Sequence, residues 1–122
     1  MRMQLATPVN HVNVMFRAFS DRTRLRLLNL LKAGELCVCD LVRVIQAPQP
    51  TISRHLAYLR KARLVIARKD GLWMHYKLAP PRNDFHRKLL ECLSCCFGDV
   101  PELAKDARRL KKACCEDGQC CR

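Results

Sequence analysis

Residues 49–78, QPTISRHLAYLRKARLVIARKDGLWMHYKL, decide how this 122-residue chain folds. Gln49 supplies an N-cap and Pro50 follows at the first helical position, where no N–H is needed. Ile52, Leu56 and Leu59 then recur at helical spacing on one face, which predicts a helix over about 50–62. Turning by 100° per residue from Ile52 puts Ser53, Arg54, Ala57, Tyr58 and Lys61 on the opposite face. Two β-prone runs follow, 64–68 and 72–78. Lys69-Asp70-Gly71 lies between them, and Asp-Gly in that position predicts a hairpin.

Upstream, VNVMFRAF (12–19) reads as a short first helix. Ser20 or Asp21 offers an N-cap oxygen to a second helix, in which Leu25, Leu28 and Leu31, flanked by Leu27 and Leu30, repeat until Gly34 ends it. LVRVI (41–45) suggests a third helix that stops at Ala47-Pro48. A short helix, a Pro-containing turn, an amphipathic helix and a basic hairpin form the order of a winged helix-turn-helix, a mainly α fold with a β-hairpin wing. Downstream, Pro80-Pro81 closes the hairpin, and 84–97 reads as a fifth helix with Phe85, Leu89, Leu90 and Leu93 apolar. Asp99 to Glu102 has capping-box spacing and opens a basic helix to about Ala113. The remainder, CCEDGQCCR, reads as disordered unless a metal orders it.

Charge selects the partner. Lys plus Arg number 23 against 11 acidic residues, a formal net charge of +12, which points to double-stranded DNA. On the predicted fourth helix, Gln49, Thr51, Ser53 and Arg54 stand at the N-terminal end, where base edges are met, and Arg can read guanine bidentately. His55 falls near the edge of the apolar face, so packing and DNA contact are equally open to it. Tyr58 and Lys61 suit phosphate, and Arg68 and Lys69 at the hairpin tip suit the DNA backbone or minor groove. No apolar run reaches the length of a membrane span, and 1–14 lacks the apolar core of a signal peptide, so a cytoplasmic protein is expected. No nucleophile, base and orienting group fall into an enzyme-like arrangement.

The nine cysteines are an odd number, clustered towards the C-terminus, which favours thiols for soft metals over a disulfide framework. Cys37 and Cys39 lie within GELCVCDL (34–41). On an ideal helix they would stand about 200° apart and could not chelate one ion, so binding would require a non-helical start or local unwinding. A metal-free form holding this stretch as helix and a metal-bound form that does not would make the spacing itself a switch. The ligand is thiolate, favoured by a helix N-terminus in a basic chain and opposed locally by Glu35 and Asp40. Cys92, Cys95 and Cys96, at i, i+3 and i+4, form a rival set near one helix face. The pairs Cys114-Cys115 and Cys120-Cys121 could capture metal and pass it inward.

GELCVCDL, then QPTISRHLAYLRKARLV, then the basic hairpin with Gly71 and Tyr76 resemble the ArsR/SmtB family of metal-sensing repressors, specifically its arsenic-responsive members. The likeness covers about 12–97. It implies a homodimer that binds an operator palindrome and releases it when As(III) or Sb(III) binds the Cys37 and Cys39 thiolates, with no catalytic cofactor. It also implies dimerisation through the first and fifth helices, making 1–97 the winged domain and 98–122 a basic helix with a Cys-rich tail. Two departures stand out. Arsenic-type members commonly carry a third cysteine where this chain has Val42, leaving the third ligand to hydroxide, a small thiol or another cysteine. Arg63 replaces the glycine that often ends the recognition helix. Half of a zinc-sensor motif is present as Asp84 and His86, read here as a helix-capping aspartate and an exposed histidine. A repressor responding to Cd, Pb or Zn, a thiol redox switch on DNA and a metal scavenger are the alternatives.

Overall fold

The leucines of RTRLRLLNLL build the centre of the molecule. In this computed structural model residues 9–117 are described. Their order is α1 (Val9–Phe19), α2 (Arg22–Leu31), β1 (Leu36–Cys37), α3 (Val38–Ile45), α4 (Gln49–Lys61), β2 (Val65–Asp70), β3 (Trp73–Leu78), α5 (Asp84–Cys95) and α6 (Pro101–Asp117). Asp21 caps α2, its carboxylate accepting the Arg24 N–H at 3.0 Å. Leu27, Leu28, Leu30 and Leu31 are buried with Ile52, Leu56 and Leu59 of α4 and Leu41, Val44 and Ile45 of α3. Each such side chain contributes about 1.5–3 kcal/mol by leaving water.

Three boundaries differ from the sequence reading. Helix α3 begins at Val38, three residues before the expected Leu41, because Cys37 caps it in an extended conformation. A strand too short for any periodicity, β1, adds to the hairpin in the antiparallel order β1-β3-β2, with Leu36 opposite Tyr76 and Cys37 opposite His75. The wing turn is Gly71-Leu72, since Asp70 pairs with Trp73. Gly71 has φ +65°, matching a two-residue loop with glycine in its first central position.

Helix α6 packs on α2 and α3. Arg26 donates to both Asp106 carboxylate oxygens at 2.7 and 2.9 Å, Asn29 donates to the Leu103 carbonyl at 3.2 Å, and Arg109 donates to the Val44 carbonyl at 3.1 Å. The expected capping box does not form. Glu102 instead takes up Arg22 of α2 through three short hydrogen bonds, and the Arg22 guanidinium holds its carboxyl below the ordinary range. The chain from 114 to 117, expected to be disordered, continues α6. Residues 118–122, and the same expectation for them, lie outside the described residues.

Helix α4 ends with the Arg63 N–H on the Arg60 carbonyl and the Leu64 N–H on the Leu59 carbonyl, both at 2.9 Å. This Schellman geometry requires a left-handed residue, and Arg63 has φ +64°. A left-handed non-glycine residue costs about 1–2 kcal/mol. Arg63→Gly is therefore expected to raise unfolding free energy by about 1 kcal/mol, read as a higher urea midpoint at unchanged m value.

Candidate nucleic-acid interface and thiolate pair

Helix α4 offers Gln49, Arg54 and Lys61 exposed, Thr51 and Ser53 half-buried, and Tyr58 39% exposed. Among the described residues Arg54 makes no hydrogen bond or ion pair, so its guanidinium is available to a partner. Tyr58 is held from the side by Arg24 of α2, whose guanidinium carbon lies 3.9 Å from the ring centroid. Arg24 itself is anchored on the Ala18 and Arg17 carbonyls. Sequence reading passed over Arg24 because its target lies two elements away.

Two of the expected DNA contacts are engaged elsewhere. The His55 ring turns inward, its side chain only 16% exposed and Nδ1 3.7 Å from the Asp21 carboxylate that caps α2. It joins α4 to α2, the packing alternative. Arg68 lies within β2, short of the hairpin tip, and clamps both Glu35 oxygens at 3.1 and 2.7 Å. That contact holds the Glu35 carboxyl below its ordinary range and balances a charge beside the cysteines. Lys69 remains exposed near the turn.

Cys37 and Cys39 come together at the start of α3. Cys37 has φ −76° and ψ 149°, outside the helix, so the 200° separation of an ideal helix does not apply. Its Sγ accepts the Cys39 N–H at 3.4 Å, and the two Sγ atoms stand 3.0 Å apart. The expectation of a continuous helix through 37–39, unwound by metal, is thereby corrected: the stretch already has its non-helical start. One ion bonded to two sulfurs at about 2.3 Å each requires them to be within about 4.6 Å of one another. The pair meets that condition as it stands. Cys37 is 3% exposed while Cys39 is half-buried, so access is from the Cys39 side.

His75, opposite Cys37 across the sheet, has a buried Nε2 with no hydrogen-bond partner. Sequence reading did not single it out, because only β1–β3 pairing brings it there. Among the described residues no three His, Cys, Asp or Glu side chains gather closely enough for one ion. Cys92, Cys95 and Cys96 thus do not converge as a trio. Cys92 instead hydrogen-bonds Cys96 and pushes its thiol up, disfavouring the thiolate. Cys114 and Cys115 fall on the last turns of α6, and Cys120 and Cys121 lie outside the described residues.

The half zinc motif also reads differently. Asn83, not Asp84, caps α5, and Asp84 pairs with Arg87. His86, expected to be exposed, is fully buried; Nδ1 accepts the Arg82 N–H at 3.2 Å, and burial pushes its pKa down.

A family model described as bacterial regulatory protein, arsR family, matches residues 21–67, which span α2 through the start of β2. The arsenical resistance operon repressor of Escherichia coli K12 is 51% identical over 78 residues, covering 63% of this chain and 67% of that one. The chain belongs to the ArsR family. Within it, the arsenic resistance transcriptional regulator ArsR2 of Pseudomonas putida is 38% identical over 98 residues, 80% of this chain and 84% of its own. The solved structure of HlyU from Vibrio cholerae N16961 superposes with a TM-score of 0.63 at 28% identity, covering 76% of this chain and 94% of that one. This ArsR-family chain is thus a winged helix-turn-helix DNA-binding regulator. None of its described helices is long and apolar enough to cross a membrane.

Proposed function

We propose that the protein is a homodimeric repressor that holds operator DNA through α4 and the wing and releases it when As(III) or Sb(III) bridges Cys37 and Cys39. The observation that carries this reading is the 3.0 Å approach of the two sulfurs at the start of α3. Soft sulfur selects such ions over oxygen-seeking ones. The likeness to repressors named for arsenical resistance supports the same effector.

The sulfurs sit where they can move both reading elements. Cys37 belongs to β1, which pairs with the wing strand β3, and Cys39 to the first turn of α3, which packs against α4. A bound metalloid that redraws the Cys37–Cys39 geometry acts on wing and reading helix together. Exposed Val9, Val14 and Phe16 on α1, with Phe16 edge-on to Phe85 of α5 at 5.4 Å, supply an apolar face for the twofold partner. Twofold pairing then places two α4 helices in successive major grooves.

A titration of operator-bound protein with arsenite, antimonite, cadmium, lead and zinc, followed by fluorescence anisotropy, tests the effector. Arsenite and antimonite should release DNA at concentrations where zinc does not; release by zinc, cadmium or lead alone would sink the proposal. For the DNA contact, Arg54→Ala should weaken specific binding by about 1–3 kcal/mol. Its thermal midpoint should stay near that of the parent, and unchanged operator affinity would remove Arg54 from the reading face.

The same 3.0 Å approach supports a second reading, a thiol redox switch on DNA. Bridging cysteines two residues apart closes a strained small ring. Release by peroxide and not by arsenite would select it.

A further inference from the structure

Beside the cysteine pair lies a groove of about 350 Å³, walled by Val38, Cys39 and Val42 of α3 and by Leu72, Trp73 and Met74 of the wing. Its lining is mainly apolar, and Trp73 and Leu72 remain 45% and 92% exposed although both are large and hydrophobic. Cys39 is the only one of the two sulfur-bearing residues on its wall, so an atom bonded to both sulfurs has one side facing the groove. The position one turn beyond Cys39 is Val42, which offers methyl groups and no ligand.

We propose that the groove holds the organic substituent of a monosubstituted trivalent arsenical, an aryl–As(III) species, and that this class outcompetes inorganic arsenite as effector. This rests on the reading of Cys37 and Cys39 as the effector site. An aryl arsenical keeps one carbon–arsenic bond and has two exchangeable oxygens, which matches a site with two sulfurs and an apolar third side. Binding balances without any redox partner: the two thiols lose their protons, two As–S bonds form, two As–O bonds break, and two waters leave. Arsenic stays trivalent and the carbon–arsenic bond stays intact.

The groove also touches Gln49, the first residue of α4, so its occupant sits between the start of the reading helix and the wing. A ring lodged there would wedge apart the two elements that must grip one operator half-site. The coupling from effector to DNA is then direct, in addition to any strain in the β1–α3 junction.

The test compares phenylarsine oxide with arsenite for release of operator DNA from the intact protein under reducing conditions. Burying one phenyl ring is expected to lower the half-release concentration by about tenfold or more relative to arsenite. The chain contains a single tryptophan, so Trp73 emission should change on adding phenylarsine oxide. In Trp73→Ala the ratio between the two effectors should fall to about threefold or less, a ratio that cancels any change in DNA affinity of the variant. Val42→Cys, which supplies a third sulfur in place of the methyl groups, should shift the ratio towards arsenite. Equal potency of the two effectors on the parent protein, or a ratio unmoved by Trp73→Ala, would overturn the inference and leave the cysteine site standing. Release of the Cys37→Ser, Cys39→Ser protein by both effectors at the parent's concentrations would overturn the underlying reading as well.

Discussion

The Cys37→Ser, Cys39→Ser double variant is expected to stay on its operator at arsenite concentrations that empty the parent protein. To carry a population from about 99:1 bound-competent to about 1:99, an effector must favour the released form by about 5.5 kcal/mol. Metal–thiolate bonds at the two Sγ atoms are the proposed source of that preference, and serine oxygen is a poor substitute for a soft ligand. The substitution is nearly isosteric. Cys37 also caps α3, accepting the Cys39 N–H, and serine is a strong N-cap residue, so the fold should survive and operator affinity without effector should stay close to that of the parent. Measured by anisotropy, the midpoint for arsenite should rise by more than about a hundredfold, about 2.8 kcal/mol. Release at the parent's concentration would move the sensor to Cys92, Cys95 and Cys96 or to the C-terminal cysteines.

The largest stability effect is expected at the joint between α2 and α6. Asp106 is 1% exposed and receives two hydrogen bonds from Arg26, whose side chain is 14% exposed. Removing one member of a buried pair leaves the other charge uncompensated and costs about 3–5 kcal/mol. Because Arg26 retains some contact with water, Asp106→Ala should lie near the low end, about 3 kcal/mol, in urea unfolding at fixed protomer concentration. Replacing both partners by apolar residues, Arg26→Met with Asp106→Leu, should recover most of the loss, since the pair's strength is offset by its own desolvation. A loss under about 1 kcal/mol for Asp106→Ala would mean that α6 is held by its apolar contacts at Leu103 and Leu110 alone.

Periodicity made α2, α4, α5 and the hairpin legible, because their apolar residues repeat over enough positions to be read locally. What escaped reading was decided by partners distant in the chain. Glu102 has capping-box spacing, yet Arg22, 80 residues away, takes its carboxylate. Arg68 has the composition of a DNA contact, but Glu35 is 33 residues upstream and holds it. His55 sits on the edge of the apolar face, and only the fold reveals that Asp21 faces it. Strand β1 has two residues and no period; pairing with β3 creates it. That pairing also places Cys37 in an extended conformation, which brings its sulfur to Cys39. The cysteines were visible in the sequence from their spacing and flanking residues. Their approach was not, and neither was the groove beside them, since Trp73 and Met74 belong to the wing while Val38 and Val42 belong to α3.

Arsenic X-ray absorption on the protein loaded with one equivalent of arsenite, compared with the double serine variant, tests the central claim most directly. Two sulfurs and one oxygen per arsenic in the parent, with the sulfurs lost in the Cys37→Ser, Cys39→Ser protein, is the expected result. Sulfur coordination that persists unchanged in the variant would contradict it, because the metalloid would then be held by other cysteines.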